Sequence, residues 1–229
     1  MIENKITDVF FDLDHTLWDF DKNSELAFDK IFKEKHPTLN TKLFIEIYAP
    51  INQACWKLYQ VDKISHEELR YKRLKDSLDK LNYFVSDVDI DEMATDYITF
   101  LPENNLLFDG AKEVLDYLQP KYKLHIITNG FAEVQYKKLK NSGISNYFHS
   151  VTNSEMAGVK KPHPKIFEHA LSQIKVPKNN CIMIGDCIEA DVQGALNFGM
   201  DAIFFNEQKV QVPNHIKQIN HLTEIKNFL

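Results

Sequence analysis

Asp12 and Asp14 stand two residues apart at the end of an apolar run, V-F-F-D-L-D-H-T over residues 9–16. Residues i and i+2 of an extended chain share a face, so the two carboxylates project together, roughly 6–7 Å apart along the strand. Acidic groups this close repel one another unless a cation offsets them, and oxygen ligands of this kind suit a hard divalent ion such as Mg²⁺. Thr16 adds a hydroxyl just beyond them. The design recurs at I-M-I-G-D-C-I-E-A-D, residues 182–191, where an apolar run ends in Gly185-Asp186 and Asp191 follows five residues later. Between the two acidic stretches lie I-I-T-N-G, residues 126–130, and G-V-K-K-P, residues 158–162. Thr128 offers a hydroxyl, and the amides of Asn129 and Gly130, opening a helix, can bind an anion. Lys160 and Lys161 bring positive charge just before Pro162. Each motif alone has a bland reading: D-x-D can cap a helix, T-N-G can be a plain turn, and most lysine pairs only solvate a surface. Their order and their positions at strand ends carry the argument together.

The elements that must position these residues fall into two patterns. Val9, Phe10 and Phe11 read as a buried strand delivering Asp12 to its carboxyl end, where open parallel sheets bind ligands. A helical block follows. A polar turn is expected at Asp21–Ser24, then a helix ending before Pro37. A second helix, capped by Thr41, is expected to kink or split at Pro50. Ser65 and Glu68 form an S-x-x-E capping box for a third helix, with Leu74, Leu78 and Leu81 on its apolar side and Arg70, Arg73 and Ser77 on the adjacent face. A fourth runs from about Val88 to Phe100. From about residue 106 the pattern alternates: helix 109–118, strand 122–128, helix 132–141, strand 149–152, helix 164–174, strand 181–184, helix 189–198 and strand 202–205. Such alternation predicts an α/β fold, a parallel sheet with helices on both faces. The expected division is a core of residues 1–17 and 104–229, interrupted by a helical insertion at 18–103.

Composition narrows the class. The chain has 229 residues, 44% of them hydrophobic, enough to bury a sizeable core. A formal charge of −6 argues against a nucleic-acid polymer or an anionic membrane as partner, since both demand clustered positive charge. No apolar run approaches the ~20 residues of a spanning helix, and the N-terminus M-I-E-N-K-I-T-D lacks a signal-peptide layout, so a cytoplasmic protein is expected. Cys55, Cys181 and Cys187 suggest neither a disulfide framework nor a zinc site.

The ordered set Asp12, Asp14, Thr16, then Thr128, then Lys161, then Asp186 and Asp191 resembles the four motifs of the haloacid dehalogenase-like phosphatase superfamily. The resemblance implies a doubly wound Rossmann-like parallel sheet with an α-helical cap inserted after the first motif. It also implies Mg²⁺-dependent hydrolysis of a small phosphate ester through an aspartyl-phosphate. Asp12 would be the nucleophile and Asp14 the acid and base. Asp12, Asp186 and the carbonyl of Asp14 would hold the metal, with Asp191 orienting Asp186 or a metal-bound water. Thr128, Asn129 and Lys161 would stabilise charge on the phosphoryl oxygens, with Thr16 and Gly130 beside the substrate.

The similarity runs nearly end to end. F-D-L-D-H-T-L, I-N-Q-A-C-W-K-L-Y, I-S-H-E-E-L-R-Y-K-R-L, I-T-N-G-F-A-E-V-Q and S-E-M-A-G-V-K-K-P-H-P-K-I-F look like the bacterial 5′-nucleotidases that act on pyrimidine nucleoside monophosphates. His15 stands where many relatives have glycine. In the cap, Asn52 and Trp56 lie four apart on a helix and Arg73 follows on the next. A base stacked on Trp56 or Tyr59 and bonded to Asn52, with Arg73 near the sugar or phosphate, is the expected contact; bundle packing is the other reading of the same spacing. A sugar phosphate, phosphoglycolate or a phosphoglucomutase-like transfer remain as alternatives, and a non-catalytic nucleotide-binding protein is a further one. Asp14 counts against a dehalogenase, whose halide needs no proton on leaving. Monomer and homodimer both stay open.

Overall fold

Strand β1, Asp8–Phe11, is buried along its whole length, because every side chain of D-V-F-F meets a covered face of the sheet. In a computed structural model describing residues 5–229 it lies at the centre of the molecule's sheet. The others are β2, Lys123–Thr128; β3, Phe148–Asn153; β4, Cys181–Gly185; β5, Asp201–Phe205; and the short β6, Gln218–Ile219. Among the described residues these six strands are parallel, in the order β3-β2-β1-β4-β5-β6. The fold is therefore the expected α/β type. The order reverses at β1, whose two neighbours are β2 and β4, and a crevice forms at such a switch point, outside the carboxyl ends of the strands.

The chain divides into two compact units, one comprising the chain up to Asp19 together with Leu106–Leu229, the other Phe20–Asn105. In the first unit, Phe10, Ile127 and Met183 line one face of the sheet with Ile166, Phe167 and Ala170 of the helix Pro164–Ile174. Period-2 alternation sends Val9, Phe11, Ile126, Ile184 and Phe205 to the other face, and all are buried too. The chain leaves this unit and returns to it along a short ribbon. Phe108 N donates to Leu17 O at 3.0 Å, and Asp19 N donates to Leu106 O at 3.1 Å.

The second unit is helical: α1, Phe20–Lys35; α2, Thr41–Gln60; α3, His66–Lys80; and α4, Asp87–Phe100. The turn expected at Asp21–Ser24 is instead the first turn of α1. Its Ser24 hydroxyl is buried and shares a 2.7 Å hydrogen bond with Tyr97 OH, so polar residues here serve the interior. Asn40, not Thr41, caps α2, its side chain accepting from Leu43 N at 2.9 Å. Nor does Pro50 split that helix, which runs continuously through it. Pro50 and Glu46 both lie on the exposed side, so the carbonyl deprived of a donor can turn to water. The Ser65–Glu68 capping box forms in full, with a second, Ser86–Asp89, at the start of α4. Phe28 is the hub of the interior: its ring stacks on Tyr97 at 4.4 Å and meets Phe44 at 4.7 Å and Tyr48 at 4.9 Å.

Back in the first unit, α5 is Ala111–Leu118 and α6 is Ala132–Asn141. A short α7, Ser154–Ala157, follows β3, and α8 is the helix at Pro164–Ile174 already described. The helix expected at 189–198 begins as a wide π turn, Ile188–Gln193, and only then becomes α9, Gly194–Phe198. No helix among the described residues is long and apolar enough to cross a membrane.

Candidate active site

The carboxyl ends of β1 and β4 bring Asp12 and Asp186 together, because Asp12 N donates to Ile184 O at 2.9 Å and keeps the two strand ends level. The π turn adds Asp191. One oxygen from each of Asp12, Asp186 and Asp191 can be chosen so that all lie within 4.8 Å of one another. Gly185 is required here, since a methyl group on it would overlap the Asp191 carboxylate.

Among the described residues, one buried cation stands among these carboxylates. Lys161 Nζ donates to Asp12 Oδ1 and to Asp191 Oδ1, each at 2.6 Å, and to Ile127 O at 2.7 Å. The second oxygen of Asp191 accepts from Cys187 N at 3.0 Å, and Thr16 Oγ1 donates to Asp186 Oδ1 at 3.1 Å. Three acids and one ammonium leave excess negative charge in a largely covered site. Burial, with repulsion from Asp191 and Asp186, holds the Asp12 carboxyl well above the usual carboxylate range despite the opposing pull of Lys161. Burial and the nearby Asp191 push Asp186 up to about 7, against the opposing effects of Lys161 and Thr16. Burial acts to lower the Lys161 pKa, but Asp12 and Asp191 beside it raise it overall. Clustered oxygen ligands in electrostatic deficit fit a hard divalent cation such as Mg²⁺.

The loop after β2 supplies the neutral partners. Asn129 clamps Lys161 in both directions: its Oδ1 accepts from Lys161 N at 2.8 Å and its Nδ2 donates to Lys161 O at 3.0 Å. Thr128 Oγ1 accepts from Gly130 N at 3.0 Å and from Gln135 Nε2 at 2.8 Å, which leaves its own proton to donate. The Gly130 amide, expected to meet an anion, is thus turned to Thr128. A methyl on Gly130 would overlap the Gln135 amide, so glycine at this position lets α6 approach.

Asp14 is reached from that helix. Lys138 Nζ donates to Asp14 Oδ1 at 2.6 Å, and Gln135 Nε2 donates to Asp14 Oδ2 at 2.9 Å. Neither Gln135 nor Lys138 was singled out by the sequence. The available signal was their i, i+3 spacing just after T-N-G, which puts both on one face of the following helix. His15 takes a φ of 61°, the left-handed region that glycine adopts without strain, which fits the glycine that the resemblance puts at this position.

In the helical unit the expected substrate contacts lie in the interior. Asn52 and Arg73 are buried, and Asn52 Oδ1 accepts from Arg73 Nη1 at 3.2 Å and from Tyr48 OH at 3.3 Å. The Arg73 guanidinium also stands 4.9 Å from the Tyr97 ring centroid. Trp56 is half-buried, edge-on to Tyr59 at 5.6 Å.

The profile of the haloacid dehalogenase-like hydrolases matches residues 8–199. The pyrimidine 5′-nucleotidase PynA of Streptococcus pneumoniae is 34% identical over 218 residues, 93% of this chain and 86% of that protein. The pyrimidine 5′-nucleotidase YjjG of Escherichia coli is 30% identical over 225 residues, 96% of each chain. Among solved structures, the HAD-hydrolase YfnB of Bacillus subtilis, bound to magnesium, superposes with a TM-score of 0.86 at 28% identity, covering 98% of this chain and 99% of that one.

Proposed function

This chain belongs to the haloacid dehalogenase-like hydrolases, and from that premise we propose that it is a magnesium-dependent 5′-nucleotidase acting on pyrimidine nucleoside monophosphates. The observation that carries the chemistry is the pairing of a carboxylate triad around Lys161 with a separate carboxylate, Asp14, at the same strand end. The pyrimidine assignment is supported by the two nucleotidases similar along most of the chain.

Lys161 holds Asp12 Oδ1, which leaves Oδ2 to attack phosphorus. The new Oδ2–P bond forms as the P–O ester bond breaks, and the departing nucleoside oxygen takes a proton from Asp14. Water then attacks the aspartyl-phosphate, Asp14 accepts its proton, and phosphate departs with Asp12 restored. Thr128 donates its remaining proton and Lys161 its charge to the phosphoryl oxygens, where charge builds up during transfer. Asp12, Asp186 and the Asp14 carbonyl would hold Mg²⁺, with Asp191 orienting them through its bonds to Lys161 and Cys187 N. The ion supplies positive charge that lets a carboxylate approach a phosphate anion.

Phosphate release from UMP, dUMP, dTMP, AMP, GMP, sugar phosphates and phosphoglycolate, with Mg²⁺ and with EDTA, tests this reading. Selective, EDTA-sensitive turnover of the pyrimidine nucleotides is the expected result. Preference for sugar phosphates would retain the mechanism and discard the nucleotidase; no metal-dependent release at all would discard both.

A further inference from the structure

We propose that Lys138, assisted by Gln135, is a positioning residue that holds Asp14 so that one of its oxygens is presented to the leaving group. The inference rests on the phosphatase reading above and gives a role to two residues that this reading leaves without one.

Lys138 is 2% exposed, a rare state for lysine unless a partner holds it. One partner is Asp14 Oδ1 at 2.6 Å, and the ammonium also sits 4.3 Å from the Trp18 ring centroid. Trp18 and Asp14 are the two ends of one tight loop. They form a bridge, and His15 N donates to Trp18 O at 3.0 Å. Lys138 therefore touches the loop at both ends and fixes its curvature from α6. Gln135, one turn earlier on the same helix, donates to the other Asp14 oxygen and to Thr128 Oγ1. The charge-assisted bond at Oδ1 is the stronger of the two, so Oδ2 is the oxygen able to exchange a proton with substrate. The Asp14 side chain, 20% exposed, is reachable for that purpose. The site thus divides its buried cations: Lys161 serves the nucleophile, and Lys138 serves the acid.

A structural ion pair would hold the fold without regard to the leaving group, whereas a positioning residue affects only reactions that need protonation. The test compares kcat/KM, which reports the steps through phosphoenzyme formation, for UMP and for p-nitrophenyl phosphate. The alkoxide of UMP needs a proton on departure; p-nitrophenolate does not. For Lys138→Met the expected result is a loss of about tenfold or more on UMP, against less than about twofold on p-nitrophenyl phosphate, with Lys138→Arg recovering most of the difference. Should Lys138→Met fail to fold, Lys138→Gln, which keeps an uncharged donor at the same place, carries the same comparison. Equal losses on the two substrates, or none on either, would overturn the positioning role while leaving the phosphatase reading intact. A wild-type protein inactive on both would overturn the phosphatase reading and this role with it.

Discussion

Lys161 Nζ lies 2.6 Å from Asp12 Oδ1, both groups are buried, and the same ammonium is shared with Asp191 at an equal distance. The lysine is therefore part of the interior's charge balance as well as of the site. Lys161→Met leaves the carboxylates without their cation, and breaking a buried pair in this way costs about 3–5 kcal/mol. Urea unfolding in EDTA should show that loss. Asp12→Asn keeps the shape and removes one of the competing negative charges, so the fold should survive while turnover disappears. Substantial residual phosphate release by that variant would reject Asp12 as the nucleophile.

Burial and Asp191 push Asp186 up to about 7, the mark of a carboxylate held where charge is poorly tolerated. Binding a divalent cation should relieve that and stabilise the folded state, by about 2.7 kcal/mol at a hundredfold excess over Kd. Thermal unfolding with MgCl₂ against EDTA measures it. Asp186→Asn should erase most of the increment. If Asp191→Asn erases as much, Asp191 binds the ion directly rather than through its neighbours.

His125 offers a pH effect remote from the carboxylate cluster. It is fully buried on β2, its Nε2 3.0 Å from Asp8 Oδ1 and its Nδ1 2.8 Å from Ser150 Oγ. Burial lowers its pKa below the ordinary histidine value, outweighing the opposing pull of Asp8. Below about pH 6.5 the unfolded chain takes up the proton before the folded one does. Stability from this group is thus complete above that pH and declines as pH falls. His125→Gln should remove this part of the decline, read as the difference between variant and wild-type unfolding midpoints from pH 7.5 to 5.5. Parallel curves for the two proteins would show that His125 does not contribute.

Phe28, fully buried and ringed by Phe32, Phe44, Tyr48 and Tyr97, should be the costliest residue to truncate in the helical unit. Phe28→Ala is expected to destabilise that unit by about 3–5 kcal/mol. Hydrogen exchange should show protection lost first across residues 20–105, with β1, β2 and β4 retained. Uniform loss across both units would mean that they unfold as one.

Strands β1, β2 and β4 were legible because short apolar runs ending in Asp12, Thr128 and Gly185 leave little else for the chain to form, whereas the two-residue β6 has no such run and was not anticipated. Asp12 and Asp186 could be placed together because strand ends of a parallel sheet share one edge, whereas Lys161, in a loop before α8, was joined to them through the resemblance. Side chains on helices were harder to read. Lys138 and Gln135 look like solvated residues until the fold shows α6 against the Asp14 loop, and Asn23 and Ser24 read as a turn because nothing local reveals that the interior needs polar groups. Arg73 shows the same difficulty: with Arg70 it is one of two arginines among many lysines and so conspicuous in sequence, yet its bond to Asn52 depends on how α2 and α3 meet. The π turn carrying Asp191 has no sequence signature beyond the spacing from Asp186.

The ribbon that pairs Leu17 with Phe108 and Asp19 with Leu106 brings the two ends of the 86-residue insertion side by side. A segment joined to its host through adjacent ends can be exchanged for another of different length without moving the strands that carry Asp12 and Asp186. The chain is in this sense a socket and a plug. A short turn linking Asp19 to Leu106 is the natural place to graft a foreign module.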